Sequence, residues 1–163
     1  MKKNTPIAFY LLLALLAGGI LLSCSTDETC RKNTYVRFYA DFYKIITENK
    51  KRTIKAGIDS VTVVGIGSDL KLYDSEKSVN ELQLPLHKTD GVTRFSIAFN
   101  DTIDTLTIKH VNYDKYLSLE CGCIKTATVD TTYITRHFID SIAITSHEVN
   151  TNNAPNIKIY RHY

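Results

Sequence analysis

Several things are missing from this 163-residue chain, and each absence removes a class of protein. After Cys24 no segment carries a long apolar stripe at helical spacing, so a helical bundle or an alternating strand–helix fold is not expected. The histidines His87, His110, His137, His147 and His162 never pair at two-, three- or four-residue spacing, which leaves no zinc signature. Gly65-Ile66-Gly67-Ser68 lacks the third glycine and the following helix of a dinucleotide loop, and reads as a turn or bulge. Asn100, Asp101 and Asp104 lack the twelve-residue pattern of a calcium loop and read as turn formers. No serine sits in a nucleophile elbow, Asp140-Ser141 included. Basic residues do not gather into a nucleic-acid footprint: Lys50-Lys51-Arg52 with Lys55 reads as a solvated loop. No internal repeat and no low-complexity tract is present. Neither a catalytic site, a cofactor nor a metal site is expected.

What is present begins at the N-terminus. Lys2 and Lys3 precede an apolar run from Ile7 to Leu22, followed by Leu21-Leu22-Ser23-Cys24. The run is short for a membrane span, which needs about 20 apolar residues. A basic start, a hydrophobic segment and a small residue before cysteine resemble a bacterial lipoprotein signal. That resemblance implies cleavage after residue 23 and acylation of Cys24, where several chains together make a lasting anchor. The expected organisation is a signal peptide at 1–23, a lipidated tether at 24–29 and one domain at 30–163. Without Lys2 and Lys3 the chain holds 18 basic and 17 acidic side chains, close to neutral. Asp27-Glu28, just past the cysteine, resembles a surface-export signal and reads equally well as a solvated linker. The expected location is the cell envelope, at the periplasmic or the surface face of the outer membrane.

With Cys24 acylated, Cys30, Cys121 and Cys123 remain, an odd number for a disulfide-forming compartment. A Cys30–Cys121 bridge closes a loop of about 91 residues, worth roughly 4–5 kcal/mol in the chain-entropy model. Cys30–Cys123 is the alternative pairing. Cys121–Cys123 would be strained and would suggest redox chemistry, but Ile124 to Val129 reads as strand rather than the helix such a thiol needs. The thiol left over is expected to be buried.

The rest of the chain alternates with period two. Val36, Phe38, Ala40 and Phe42 share one strand face, and Tyr35, Tyr39 and Tyr43 share the other. Further strands are expected at 58–66, 70–73, 81–86, around Phe95, Ile97 and Phe99, at 105–111 with Leu106 and Ile108 inward, and at 116–121. Three more follow at 126–133, 139–145 and 156–160, and 136–146 has room for one helical turn. Turns are expected at 74–80, at Asp90-Gly91, at Asn100-Asp101-Thr102 and at Asn112-Tyr113-Asp114. Short strands at this spacing predict an antiparallel, immunoglobulin-like β-sandwich, with a small β-barrel as the alternative.

Tyrosine is the one enriched type, at ten, with no tryptophan. The row Tyr35, Tyr39 and Tyr43 is therefore a candidate binding surface for a glycan or an envelope protein, unless the fold covers it. Three segments, Leu82-Gln83-Leu84-Pro85-Leu86, Cys121-Gly122 and Asn156-Ile157-Lys158-Ile159-Tyr160, resemble a family of uncharacterised small lipoproteins of Gram-negative gut and environmental bacteria. The resemblance spans most of the chain beyond the signal and implies a cysteine pair that falls here on Cys30 and Cys121. Cys123 departs from the pattern. No activity comes with the family. The expected role is a non-enzymatic, lipid-anchored binding or scaffolding module, with an accessory subunit of an outer-membrane complex, or a thiol-redox or hydrolytic enzyme, as alternatives.

Overall fold

Alternating apolar residues need two sheets to bury against each other, and the chain supplies them. The structure, a computed structural model, describes residues 36–46, 52–68, 70–119 and 121–161. They lie in one compact unit, Thr34–Tyr163, and among them no helix is long and apolar enough to cross a membrane.

One sheet holds β1 (Phe38–Ile46), β2 (Arg52–Lys55), β5 (Glu81–Leu84), β9 (Ser141–Ile144) and β11 (Ile157–Arg161). The other holds β3 (Ile58–Gly65), β4 (Lys71–Val79), β6 (Val92–Phe99), β7 (Thr102–Ser118), β8 (Gly122–Ile134) and β10 (Glu148–Val149), in the order β10-β8-β7-β6-β3-β4. Neither sheet closes into a barrel, so the fold is a β-sandwich. Among the described residues all strand pairings are antiparallel except β1 with β11.

The core follows the expected alternation. Phe38, Ala40, Phe42, Leu82, Leu84, Ile157 and Ile159 meet Phe95, Ile97, Phe99, Leu106, Ile108 and Val129 across the sheets. Phe42 sits edge-on to Phe99, ring centres 6.1 Å apart, and Phe99 stacks on Phe138 at 4.4 Å. Such aromatic contacts lock the sheets in register beyond the area they bury.

One edge of β1 is shared by two partners. Phe38–Asp41 pair with β5 and Tyr43–Ile46 with β2, while Phe42 donates to Asn80 O and accepts from Ala56 N between them. The chain passes between sheets twice at this point, at Ala56-Gly57 and at Asn80. The two passages are so close that a Cβ on Gly57 would lie 2.6 Å from Asn80 Oδ1 and 3.1 Å from Val79 O.

Three local expectations are corrected. The polar stretch 74–80 is not a turn but most of the edge strand β4, with Ser75 and Ser78 in left-handed backbone at its irregular register. Such irregularity and charge blunt an exposed edge. Asn112-Tyr113-Asp114 runs straight through β7, and the chain reverses at 119–121 instead. Asp90-Gly91 bends the chain as expected, within the crossover from β5 to β6. No helical turn forms at 136–146.

Candidate functional site

The turn after β3 and the crossover from β5 to β6 stand side by side at one end of the sandwich, leaving a groove of about 460 Å³ between them. Gly67, at φ +90, lets the first wall turn sharply, and the Ser68 N–H closes it on Gly65 O at 3.1 Å. Leu72, Leu86, Val92 and Phe95 form an apolar floor. Ile66 and Leu70 stand over it, 52% and 64% exposed. Arg94 is on the rim and has no ion pair among the described residues. His87 and Asp90 line the opposite wall, 3.5 Å apart.

A closed hydrogen-bond circuit holds that second wall. The His87 N–H donates to Thr93 Oγ1 at 2.8 Å, and the same oxygen lies 2.8 Å from Nε2 of His110. His110 Nδ1 lies 3.0 Å from Asn112 Oδ1, and the Asn112 amide donates to the carbonyls of His87 and Asp90 at 3.0 and 3.1 Å. The carbonyl partners fix the amide orientation, so Nδ1 carries a proton, and in the neutral His110 ring the Thr93 hydroxyl donates to Nε2. Burial pushes its pKa down, the Asn112 hydrogen bond opposes this, and His87 adds a smaller downward push. His110 continues the inward alternation of Leu106 and Ile108, and the extra residue of the bulge beside it, Asp130, lies in β8.

Two further polar residues are completely buried. Asp104 accepts from the Thr135 hydroxyl and from the backbone N–H groups of His137, Phe138 and Ile139, all at 2.8–3.0 Å. Burial pushes its carboxyl up, but the three backbone donors and the hydroxyl outweigh it and hold the pKa below the usual value. Asn156 accepts from Tyr39 N at 3.0 Å and donates to the carbonyls of Ser146 and Glu148. Both residues clamp loops to strands. Their tight, many-partner geometry was invisible in the sequence, where Asp104 reads as part of a turn.

The residues expected to act at a surface fall as follows. Tyr39 is buried, at 6% exposure, because β1 is covered on both faces. Tyr43 packs its ring 5.7 Å from Tyr160, with Lys158 Nζ 5.1 Å from its centre. Tyr39 and Tyr43 thus form no open aromatic row, and Tyr35 lies outside the described residues. Lys55 belongs to β2 rather than a solvated loop, and bonds Asp41 at 3.0 Å. That hydrogen bond raises its pKa above the usual lysine value. Cys24 and Cys30 lie outside the described residues. Cys123 is a free thiol and exposed, so no pairing through it is made, and the expectation of a buried spare thiol is corrected. It faces outward because Ile124 takes the buried position in that part of β8. Cys121 is half-buried and is not a free thiol.

Among the described residues no three His, Cys, Asp or Glu side chains come together as metal ligands. No match is found among curated proteins or among solved structures. A family model described as a family of unknown function (DUF6452) matches residues 60–161, from within β3 through β11, and since that is more than half of its length, the chain belongs to this family.

Proposed function

We propose that this protein is a lipid-anchored, non-enzymatic binding module of the cell envelope, and that the groove beside Arg94 is where it binds. The observation that carries the binding role is the groove itself. Its volume lies in the range of small-ligand sites, and two large aliphatic side chains are held open to solvent over an apolar floor. A single uncompensated guanidinium at the rim suits an amphiphile with an anionic group, such as an acidic glycan carrying an apolar substituent or an acidic peptide end. The basic-apolar-Ser-Cys N-terminus supports acylation at Cys24 and an outer-membrane address. The resemblance to small lipoproteins supports a Cys30–Cys121 disulfide.

The test begins with the full chain purified from bacterial membranes. Intact mass spectrometry is expected to show loss of residues 1–23 and added acyl mass, and non-reducing peptide mapping to join Cys30 to Cys121. Immobilised protein is then screened against envelope glycans and envelope proteins. Binding that is abolished in Leu70→Asp and weakened in Arg94→Ala supports the groove. A ligand held equally well by both variants places the site elsewhere.

A second reading has one observation in its favour. Thr93, His110 and Asn112 have the hydroxyl–base–orienter order of a hydrolase, with 2.8 and 3.0 Å links. The reading stands behind the first because the His87 N–H already occupies Thr93 Oγ1, His110 is buried, and every donor of Asn112 is spent on backbone carbonyls. Ester turnover by the purified chain that disappears in Thr93→Val would reverse that order.

A further inference from the structure

We infer that the long β7–β8 ribbon is a membrane-contacting wedge, its tip resting in the bilayer surface that holds the acylated N-terminus. This rests on the lipid anchor proposed above. β6 pairs with β7 only as far as Lys109, and β10 pairs with β8 only at Ala127 and Thr128. From Val111 to Ser118, and from Gly122 to Thr126, the two strands pair only with each other among the described residues. This section spans roughly 25 Å at the usual rise of a strand.

The chain enters the domain at the same end. Phe38 pairs with Leu84, the residue before the groove-lining Pro85-Leu86-His87 segment. Val36 and Arg37 line one crevice together with Asn112, Lys125 and Thr126 at the base of the ribbon. Between Cys24 and Val36 the chain reaches at most roughly 40 Å when fully extended. That reach exceeds the length of the ribbon, so the tether leaves the ribbon tip free to touch the bilayer that holds Cys24.

The tip chemistry selects a bilayer over a protein partner. Leu119 is 90% exposed in the reversing turn and Tyr116, three residues before it, is 59% exposed, while Val111 and Tyr113, both 52% exposed, lie on the other face towards the base of the ribbon. A leucine at the apex with a tyrosine just behind it suits tip-first entry, with the Tyr116 ring at headgroup level and the aliphatic side chain below. Charge assists: Lys125 is bonded to Asp114 at 2.8 Å, whereas the exposed Lys115 has no ion pair among the described residues and can meet an anionic headgroup. A second, weak contact added to an acyl anchor fixes orientation as well as attachment.

The free thiol of Cys123, opposite Tyr116, provides the probe. The full acylated chain is reconstituted into phosphatidylethanolamine–phosphatidylglycerol vesicles containing spin-labelled lipid, with an environment-sensitive dye on Cys123. Acyl mass is verified first, so that loss of the anchor is told apart from failure of the wedge. The dye is expected to be quenched at Cys123. It is expected to stay unquenched in Cys123→Ser/Asp101→Cys, which carries it on the exposed Asn100-Asp101 turn at the far end. Leu119→Asp and Tyr116→Ser, both at exposed positions, should remove most of the quenching while leaving the circular dichroism unchanged. An acylated protein with no quenching at Cys123, with equal quenching at both ends, or with quenching indifferent to both variants overturns the inference.

Discussion

The side chains that matter most in this sandwich are its few buried polar ones. Asp104 satisfies three backbone N–H groups and one hydroxyl at once, so removing it strands several donors away from water. Asp104→Ala is expected to destabilise the fold by about 3 kcal/mol or more, measured by chemical unfolding. Its depressed pKa adds a pH signature. The folded carboxylate binds protons less readily than the unfolded one, so its contribution is complete above about pH 4 and falls away as pH drops through the folded pKa. His110 acts in a different window. It is a base with a depressed pKa, so the unfolded state takes up protons first as pH falls below about 6.5. Stability from the neutral ring is complete above that pH and is lost on going below it. Wild type is expected to show a fall in melting temperature between about pH 7 and 5, and His110→Gln a flatter profile with a lower plateau. An unchanged slope in the variant would show that the circuit does not control the pH response.

Among elements, the crossovers carry the least obvious constraint. Two chain passages share one gap at β1, and Gly57 is the residue that lets them. Gly57→Ala is expected to cost about 1–3 kcal/mol in unfolding experiments, as overpacking does. Because the closest contact is the end of the Asn80 side chain, Gly57→Ala/Asn80→Ala should regain part of the loss. The remainder reflects the Val79 carbonyl, which cannot retreat. Full additivity of the two substitutions would rule this contact out as the cause. The same elements show what a reader of the sequence alone can see. Phe95, Ile97 and Phe99 alternate in sequence and point into the core in the structure, and Asn100-Asp101 joins β6 to β7 as a tight turn, with Asn100 at φ +52. Asn112 and Asp114 misled because their polar groups are used sideways, on the crossover carbonyls and on Lys125, within a continuing strand. The tyrosine face of β1 misled because Tyr39 is buried there and Tyr43 packs against Tyr160 and Lys158 from the neighbouring β11. The groove had no local signature, since its walls are about 20 residues apart and meet only when β3 and β6 pair.

At the scale of the whole molecule the two ends differ in kind. The far end is closed by the short Asn100-Asp101 turn, whereas the near end carries the chain entry, the groove and the free-standing part of the β7–β8 ribbon. This asymmetry implies two tiers of stability within single strands. Thr102 to Lys109 of β7 are held between β6 and β8, with Leu106 and Ile108 fully buried. Beyond His110 the same strand pairs with β8 alone among the described residues and its side chains are exposed or half-buried, and a lone two-stranded ribbon is marginal in water. Amides from Val111 to Ser118 and from Gly122 to Thr126 should therefore exchange with solvent through local opening that is nearly indifferent to low denaturant. Those at Leu106, Ile108 and Phe95 to Phe99 should exchange only through global unfolding and respond steeply to it. Native-state hydrogen exchange followed by NMR or mass spectrometry separates the two regimes in one experiment. Protection continuing undiminished along β7 past His110 would mean that the ribbon is braced by more than its own ladder. In that case its tip would be a poor choice for the part of the molecule that adapts to a surface.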